Sequence, residues 1–389
     1  MLLYTSNILL YLIILTKFLI ICVYEEVKVS NISLTTQYEL RNRMIFISYY
    51  IGSPSQKVYS KLSLEGQDPV VSRFHYRSKY SESGNDLGLK ELTIKEEKNW
   101  KYRANQHIDY VGFFENYMLI DNFTFCVVDV ELGSYVPFLP FSYKFDDYSH
   151  SIIHKYKSKG IINKLTFYFK PNNKDHKGEI HIGENKNIEN AKFFGFCNTE
   201  KNETNWGCFY TGLKIEKTEI IAPSFVVFST TENRLIVPEK VFDAIVNEVF
   251  PSYFEDGICS YTRYPLLPLR KYVDCRCNQI NETFPNITII INNYNFVFTY
   301  KELFRSFFNA CTFIFELDTK YQEKYVFGID FLLKYSTKFD YENNTISFYS
   351  DDRVIYHNSS KFFNEIAIIL CISFLFAGII LTIVKYIKI

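Results

Sequence analysis

Between Ile45 and Tyr349 the apolar residues come in short alternating or continuous runs broken by Gly, Pro and Asn: IFISYYIG, LTFYFKP, GEIHIG, FYTGLKI, ITIII and NFVFTY. A period of two over a few residues buries one face of a strand, whereas a helix needs apolar residues three and four apart. The chain is therefore expected to be mostly β. Two stretches break the pattern. Pro238–Phe250 opens with Pro where a helix can start and places Val241, Phe242, Ile245, Val246 and Val249 on one face. Tyr148–Lys159 is a weaker helix that stops at Gly160. With 389 residues, 47% of them hydrophobic, the chain can bury one large core or two joined ones. Basic and acidic residues balance at 43 each, so the chain lacks the net positive field that a nucleic acid demands, and none is expected as a partner.

The two ends set a topology. Ile366–Val384, IAIILCISFLFAGIILTIV, carries no charge, and as a helix it would span roughly 28 Å, the thickness of a bilayer's hydrocarbon core. Lys385 and Lys388 follow it, which puts the tail in the cytoplasm and everything before Phe362 on the lumenal or outer side. Ile8–Val23, broken only by Lys17 and followed by Glu25 and Glu26, reads as a secretory signal; because no basic residue precedes it, an uncleaved anchor is the alternative. The expectation is a single-pass type I protein of the secretory pathway or cell surface, with the lipid membrane as one partner.

Cysteine usage agrees. Seven cysteines lie between the apolar ends, in what would be an oxidising compartment, and an odd number leaves at least one outside an intrachain pair. Cys275 and Cys277 form a C-x-C with no second C-x-x-C or nearby His to complete a zinc site, so disulfides are the better reading and no metal is expected. Cys197 and Cys208 are spaced to close a small loop. Asn-x-Ser/Thr triplets at Asn31, Asn122, Asn202, Asn281, Asn286, Asn343 and Asn358 fit a glycoprotein, although an Asn-rich chain generates such triplets by chance. The histidines are scattered without ligand spacing, there is no Gly-rich phosphate loop, and no cofactor is expected.

The order of several segments resembles one family. IGSPSQ, Ile51–Gln56, resembles the I-G-T-P-P-Q that opens pepsin-like aspartic proteases; Gly160–Gly183 resembles their passage ending G-E-L-x-F-G; and FYTGLKI resembles the strand that closes their first lobe. FGIDFLLKYSTKFDYENNTISFY, Phe327–Tyr349, is similar to their C-terminal L-G-D-x-F-L-R-x-Y-Y-T-V-F-D-x-E-N-N-x-I-G-F-A, keeping Gly328, Phe331, Tyr335, Thr337, Phe339, Asp340, Asn343, Asn344, Ile346 and Phe348 at matching spacing. Asp330 is displaced from the family's G-D and reads as structural. Within the family the chain resembles the membrane-anchored plasmepsin type of apicomplexans. The resemblance implies an all-β, bilobal pepsin-like fold with a C-terminal transmembrane helix. It divides the chain into a signal (1–23), an N-terminal lobe (24–220), a C-terminal lobe (221–350), a linker (351–365), the membrane helix (366–384) and a tail (385–389). It also implies a second-lobe disulfide from Cys275 or Cys277 to Cys311.

That family's chemistry needs two aspartates sharing a proton, one in a D-[TS]-G-[TS] loop of each lobe, because two adjacent carboxyls cannot both ionise and the pair then activates water. Setting Gly66 on the motif's glycine aligns L-E-G-Q with D-T-G-S and puts Leu64 at the first aspartate. Pro238 anchors the second loop and puts Ser229 at the other. Neither side chain supplies a shared charge. The flap motif Y-G-[TS]-G has its nearest candidate in YRANQ, with Tyr102 as the flap residue, and D-G-I-L-G-L is matched by PFLPFSY, with prolines where the glycines stand. Glu65 and Glu232 are the alternative carboxylates, but they lie at unequal offsets from Leu64 and Ser229. The expected function is a membrane-tethered pseudoprotease that binds a peptide or protein ligand. The alternatives are a divergent, active membrane-bound aspartic endopeptidase and a structural surface protein whose own aromatics fill the cleft. On the expected topology, protease added to sealed microsomes containing the full chain removes at most the tail after Val384; digestion of the portion before Phe362 in unbroken vesicles overturns the orientation.

Overall fold

The computed structural model describes residues 34–41, 44–66, 68–94, 100–115, 119–128, 137–172, 177–184, 192–201, 203–264, 267–307, 310–318 and 325–350. The expected signal, linker, membrane helix and tail lie outside these residues, and among the described residues no helix is long and apolar enough to cross a membrane.

The strands assemble into a 13-stranded and an 11-stranded sheet. The first takes the strands from Leu34–Arg41 to Lys192–Asn198 and, at its far end, the last two, Ser336–Asp340 and Thr345–Ser350; the second takes those between. Gly207–Ile215, which holds the FYTGLKI run, pairs with Thr218–Phe228 and Ile287–Ile291 and so belongs to the second sheet.

One unit occurs in both sheets. In the first, Gln56–Ser63 runs parallel to Phe138–Pro140, and Val70–Ser72 runs parallel to Ile120–Val128 and antiparallel to Phe138–Pro140. In the second, Thr218–Phe228 runs parallel to Tyr325–Phe327, and Leu235–Val237 runs parallel to Phe315–Asp318 and antiparallel to Tyr325–Phe327. The two loops that leave the central strands, beginning at Ser63 and Ser229, are thus equivalent by an internal twofold relation. A short helix follows each closing strand, Ile152–Ser158 in one half and Ile329–Lys334 in the other.

The loops rest on an aromatic core. Phe167 and Phe339, on neighbouring strands of the first sheet, stack at 4.6 Å; Phe141 and Trp206 pack on them at 5.1 Å. Trp206 Nε1 donates to the Phe141 carbonyl at 2.8 Å, and the Phe141 N–H donates to the Ser63 carbonyl at 2.6 Å. From the other side Phe228, the residue before Ser229, packs on Phe331 and Phe348. Burial of rings this large supplies most of the local stabilisation.

The helix Glu239–Val249 buries the five residues that its period selected. The weaker helix is a 3₁₀ turn, Tyr148–His150, followed by Ile152–Ser158, which Ser151 caps by accepting from the His154 N–H; Gly160 ends it with φ of +68°. Three disulfides form: Cys197–Cys208, Cys259–Cys275 and Cys277–Cys311. The first joins the last strand before the sheet change to the first strand after it. The third resolves the choice between Cys275 and Cys277 in favour of Cys277; Cys275, opposite both Cys259 and Cys311 in the strand register, bonds Cys259. Cys126 is buried and unpaired, and burial pushes its thiol up to about 12.

Burial holds the His154 imidazole down at about 4, among the rings of Phe145, Tyr148 and Tyr341. A depressed folded-state value means that protonation favours the unfolded chain. The stabilisation is therefore present above about 6.5 and is lost as pH falls through about 4. Denaturant titrations at pH 7, 5.5 and 4 should show His154→Phe losing less stability than the unmodified chain over this range, by on the order of 2 kcal/mol. Equal losses would remove His154 from the account.

Candidate functional site

The site forms where the two equivalent loops meet. Ser63 Oγ accepts from the N–H groups of Glu65, at 3.2 Å, and Gly66, at 2.9 Å. Ser229 Oγ accepts from those of Thr231 and Glu232, both at 3.0 Å. The same side-chain oxygen therefore receives N–H groups two and three residues ahead in each loop, which is how a serine closes a tight turn. Both serines are fully buried.

This pattern moves the first position by one. Ser63, not Leu64, is the counterpart of Ser229, so Leu64 is the counterpart of Thr230, Glu65 of Thr231, and Gly66 of Glu232. The contacts between the loops give the same register. Thr230 Oγ1 donates to the Leu62 carbonyl at 2.7 Å and accepts from the Leu64 N–H at 3.2 Å, gripping the first loop on both sides of Ser63. Leu64 has no hydroxyl to return the contact, and its side chain is 1% exposed in the core. The clasp is one-sided.

The Glu65 carboxylate accepts from the second loop, whereas the Glu232 carboxylate pairs with an arginine. Thr231 Oγ1 donates to Glu65 Oε2 at 2.9 Å. Glu232 takes both its oxygens to Arg270 Nη2, at 3.0 and 3.1 Å. Arg270 also reaches Glu316 at 3.2 Å and Asp318 at 2.9 Å, while Arg234 pairs with Glu316 at 3.0 Å and lies 4.3 Å from the Tyr272 ring centre. Two guanidiniums thus serve three carboxylates. Burial raises the Glu316 carboxyl above its usual range against the pull of both arginines, and burial opposes but does not overcome the carboxylates that raise Arg270. Asp330 pairs with Arg305.

The second hydroxyl in this chain of contacts has a fixed direction. Thr231 has one proton and gives it to Glu65, so across the 3.0 Å contact between Ser229 Oγ and Thr231 Oγ1 the serine must donate. Ser229 then gives its proton and fills both lone pairs. Tyr102 lies on the strand Trp100–Gly112, paired with Leu92 on Asn85–Ile94, and residues 95–99 between these strands lie outside the described residues. PFLPFSY lies as expected beside the first loop: Leu139 and Pro140 pair with Leu62 and Ser63, in the place that Phe327 and Gly328 hold in the other half. Gly328 is required there, since a Cβ would come within 2.4 Å of the Glu232 carbonyl oxygen. Among the described residues no group of three side chains could hold a metal ion.

Two pseudo-symmetric β units meeting at a pair of buried loops define a bilobal architecture with its site between the halves. A family model, eukaryotic aspartyl protease, matches residues 140–350, more than half of the chain, and the protein belongs to that family. No curated protein sequence matches the chain. The matched span includes Ser229 but not Ser63, so the first loop is placed by geometry alone.

Thr230 carries the contact between the loops, and this can be measured. Thr230→Val should lower stability by about 2–4 kcal/mol, because two buried backbone groups lose their partner, whereas Thr230→Ser should lose less than half of that. A Val variant as stable as the unmodified chain in urea titration would show that the clasp is incidental.

Proposed function

We propose that the chain is a membrane-tethered, pepsin-like pseudoprotease, catalytically degenerate and closest in type to the membrane-anchored plasmepsins, whose cleft binds an extended peptide or protein segment. Ser63 and Ser229 take the positions of the two aspartates. One observation carries the reading: the Ser229 hydroxyl is saturated. An ionised carboxylate at this position could accept the same two N–H groups and retain lone pairs for water; a hydroxyl with two acceptor sites and one proton retains nothing. It also cannot hold the proton exchange by which a carboxyl pair acts as general base and then general acid.

The displaced glutamates do not replace the pair. They lie two and three residues beyond Ser63 and Ser229, and Glu232 is bound to Arg270, so bringing it to Glu65 would break a partly buried ion pair. The cleft remains as a surface on which a strand-like peptide can dock. The two apolar ends support a type I placement in the secretory pathway or at the cell surface.

The purified chain should cleave no peptide library between roughly pH 3 and 7, the range in which a carboxyl pair holds one proton. Ser63→Asp or Ser229→Asp alone should leave it inactive. Cleavage by the unmodified chain that Glu65→Gln or Glu232→Gln abolishes would establish the divergent endopeptidase instead.

A further inference from the structure

The 13-stranded sheet, which carries the Ser63 loop, has two distinct faces. Cys197, Ile346, Phe339, Phe167, Ile182 and Leu34 form one cross-strand row and point inward to the core beneath the loops. The row beside it lies on the other face and runs from exposed Phe196 through half-buried Ser347 and Lys338 to buried Tyr168. At its edge lies a contiguous aromatic patch. Phe193 is 51% and Phe196 37% exposed, 6.4 Å apart between ring centres. Phe193 also meets Tyr349 at 5.9 Å, Phe196 meets Tyr294 at 6.1 Å, and Tyr349 meets Tyr168 at 5.6 Å. Lys192 is exposed beside them, and Lys338 lies in the row.

The described chain leaves the fold at this patch. Ser350 pairs with Lys192 and Tyr349 with Phe193, and from there residues 351–365 lead to the apolar run that starts at Ile366. Fifteen residues reach at most about 50 Å even when fully extended. If Ile366–Val384 is in the bilayer, the patch is held close to its surface throughout, at high effective concentration. Exposed aromatic rings flanked by lysines suit the boundary between headgroups and acyl chains.

The geometry points to a lipid-docking face: the aromatic edge around Phe193, Phe196 and Tyr349 rests on the surface of the membrane, and the Ser63 loop of this sheet, with the Ser229 loop of the second sheet that it meets, lies beyond the inward row and so away from it. This rests on the tethered reading proposed above. It orients the cleft toward soluble ligands rather than toward lipid.

The test uses the full chain reconstituted in phosphatidylcholine and phosphatidylserine vesicles. The photoreactive p-benzoylphenylalanine is installed in place of Phe193, of Phe196, or, as a control, of Leu89, which is 74% exposed on the strand Asn85–Ile94. After irradiation, mass spectrometry should find lipid adducts at 193 and 196 at a yield about fivefold above that at 89. Equal yields at all three positions overturn the docking face. Adducts at 193 or 196 to a second copy, or to residues 351–365 of the same chain, overturn it by naming a different occupant. Carbonate extraction of the same vesicles separates the two readings: a chain that washes off refutes the tether and the docking with it, whereas a chain that stays while position 193 gives no lipid adduct refutes the docking alone.

Discussion

Each central loop turns on one side-chain oxygen that receives two backbone N–H groups, and the rest of the site follows from that constraint. The turn needs an acceptor at its first position because the N–H groups two and three residues on are partly buried and would otherwise lack a protein partner, at up to about 1–3 kcal/mol each. It does not need a charge. In a carboxylate the acceptor that shapes the loop and the base that does the chemistry are one group. Serine separates them: it keeps the turn and gives up the lone pairs and the proton affinity that water activation uses. On the proposed reading, the fold is kept at Ser63 and Ser229 without the chemistry.

The asymmetry between the loops shows what else was held. Thr230 reaches across to Leu62 and Leu64, but Leu64, its equivalent, turns into the core. One hydroxyl with a donor and an acceptor suffices to fix the two loops against each other. Glycine is kept where backbone approaches backbone, as at Gly328, and Gly66 is kept because a Cβ would lie 2.6 Å from the Phe138 ring. In the first half Pro140 stands where Gly328 stands in the second.

Much of this was legible in the sequence. The alternating runs gave the β character, and the 3.6-residue period of Pro238–Phe250 gave the helix and its buried face residue by residue. The spacing of Cys197 and Cys208 gave their disulfide. The first loop was misplaced by one residue for a definite reason: Gly66 was matched to the motif's glycine by identity, whereas the motif's third position is occupied by Glu65. The usable signal was a different one, a serine opening S-L-E-G in one half and S-T-T-E in the other, which has meaning only once the two halves are known to be symmetric. The Arg234, Arg270, Glu316 and Asp318 network was not foreseen, since its members come from one loop and two strands and share no spacing.

That network also explains why Glu232, though three residues from Ser229, adds nothing to the interlobe site. Both its oxygens bond to Arg270, which is itself held by Glu316 and Asp318, so moving Glu232 toward Glu65 would leave Arg270 short of one partner and set Glu232 beside a second carboxylate without its cation. Glu65, for its part, anchors the proton of Thr231 and through it that of Ser229. On the proposed reading these two acidic residues do not make a dyad, because a dyad calls for equal placement about the twofold relation, and here that placement belongs to two hydroxyls.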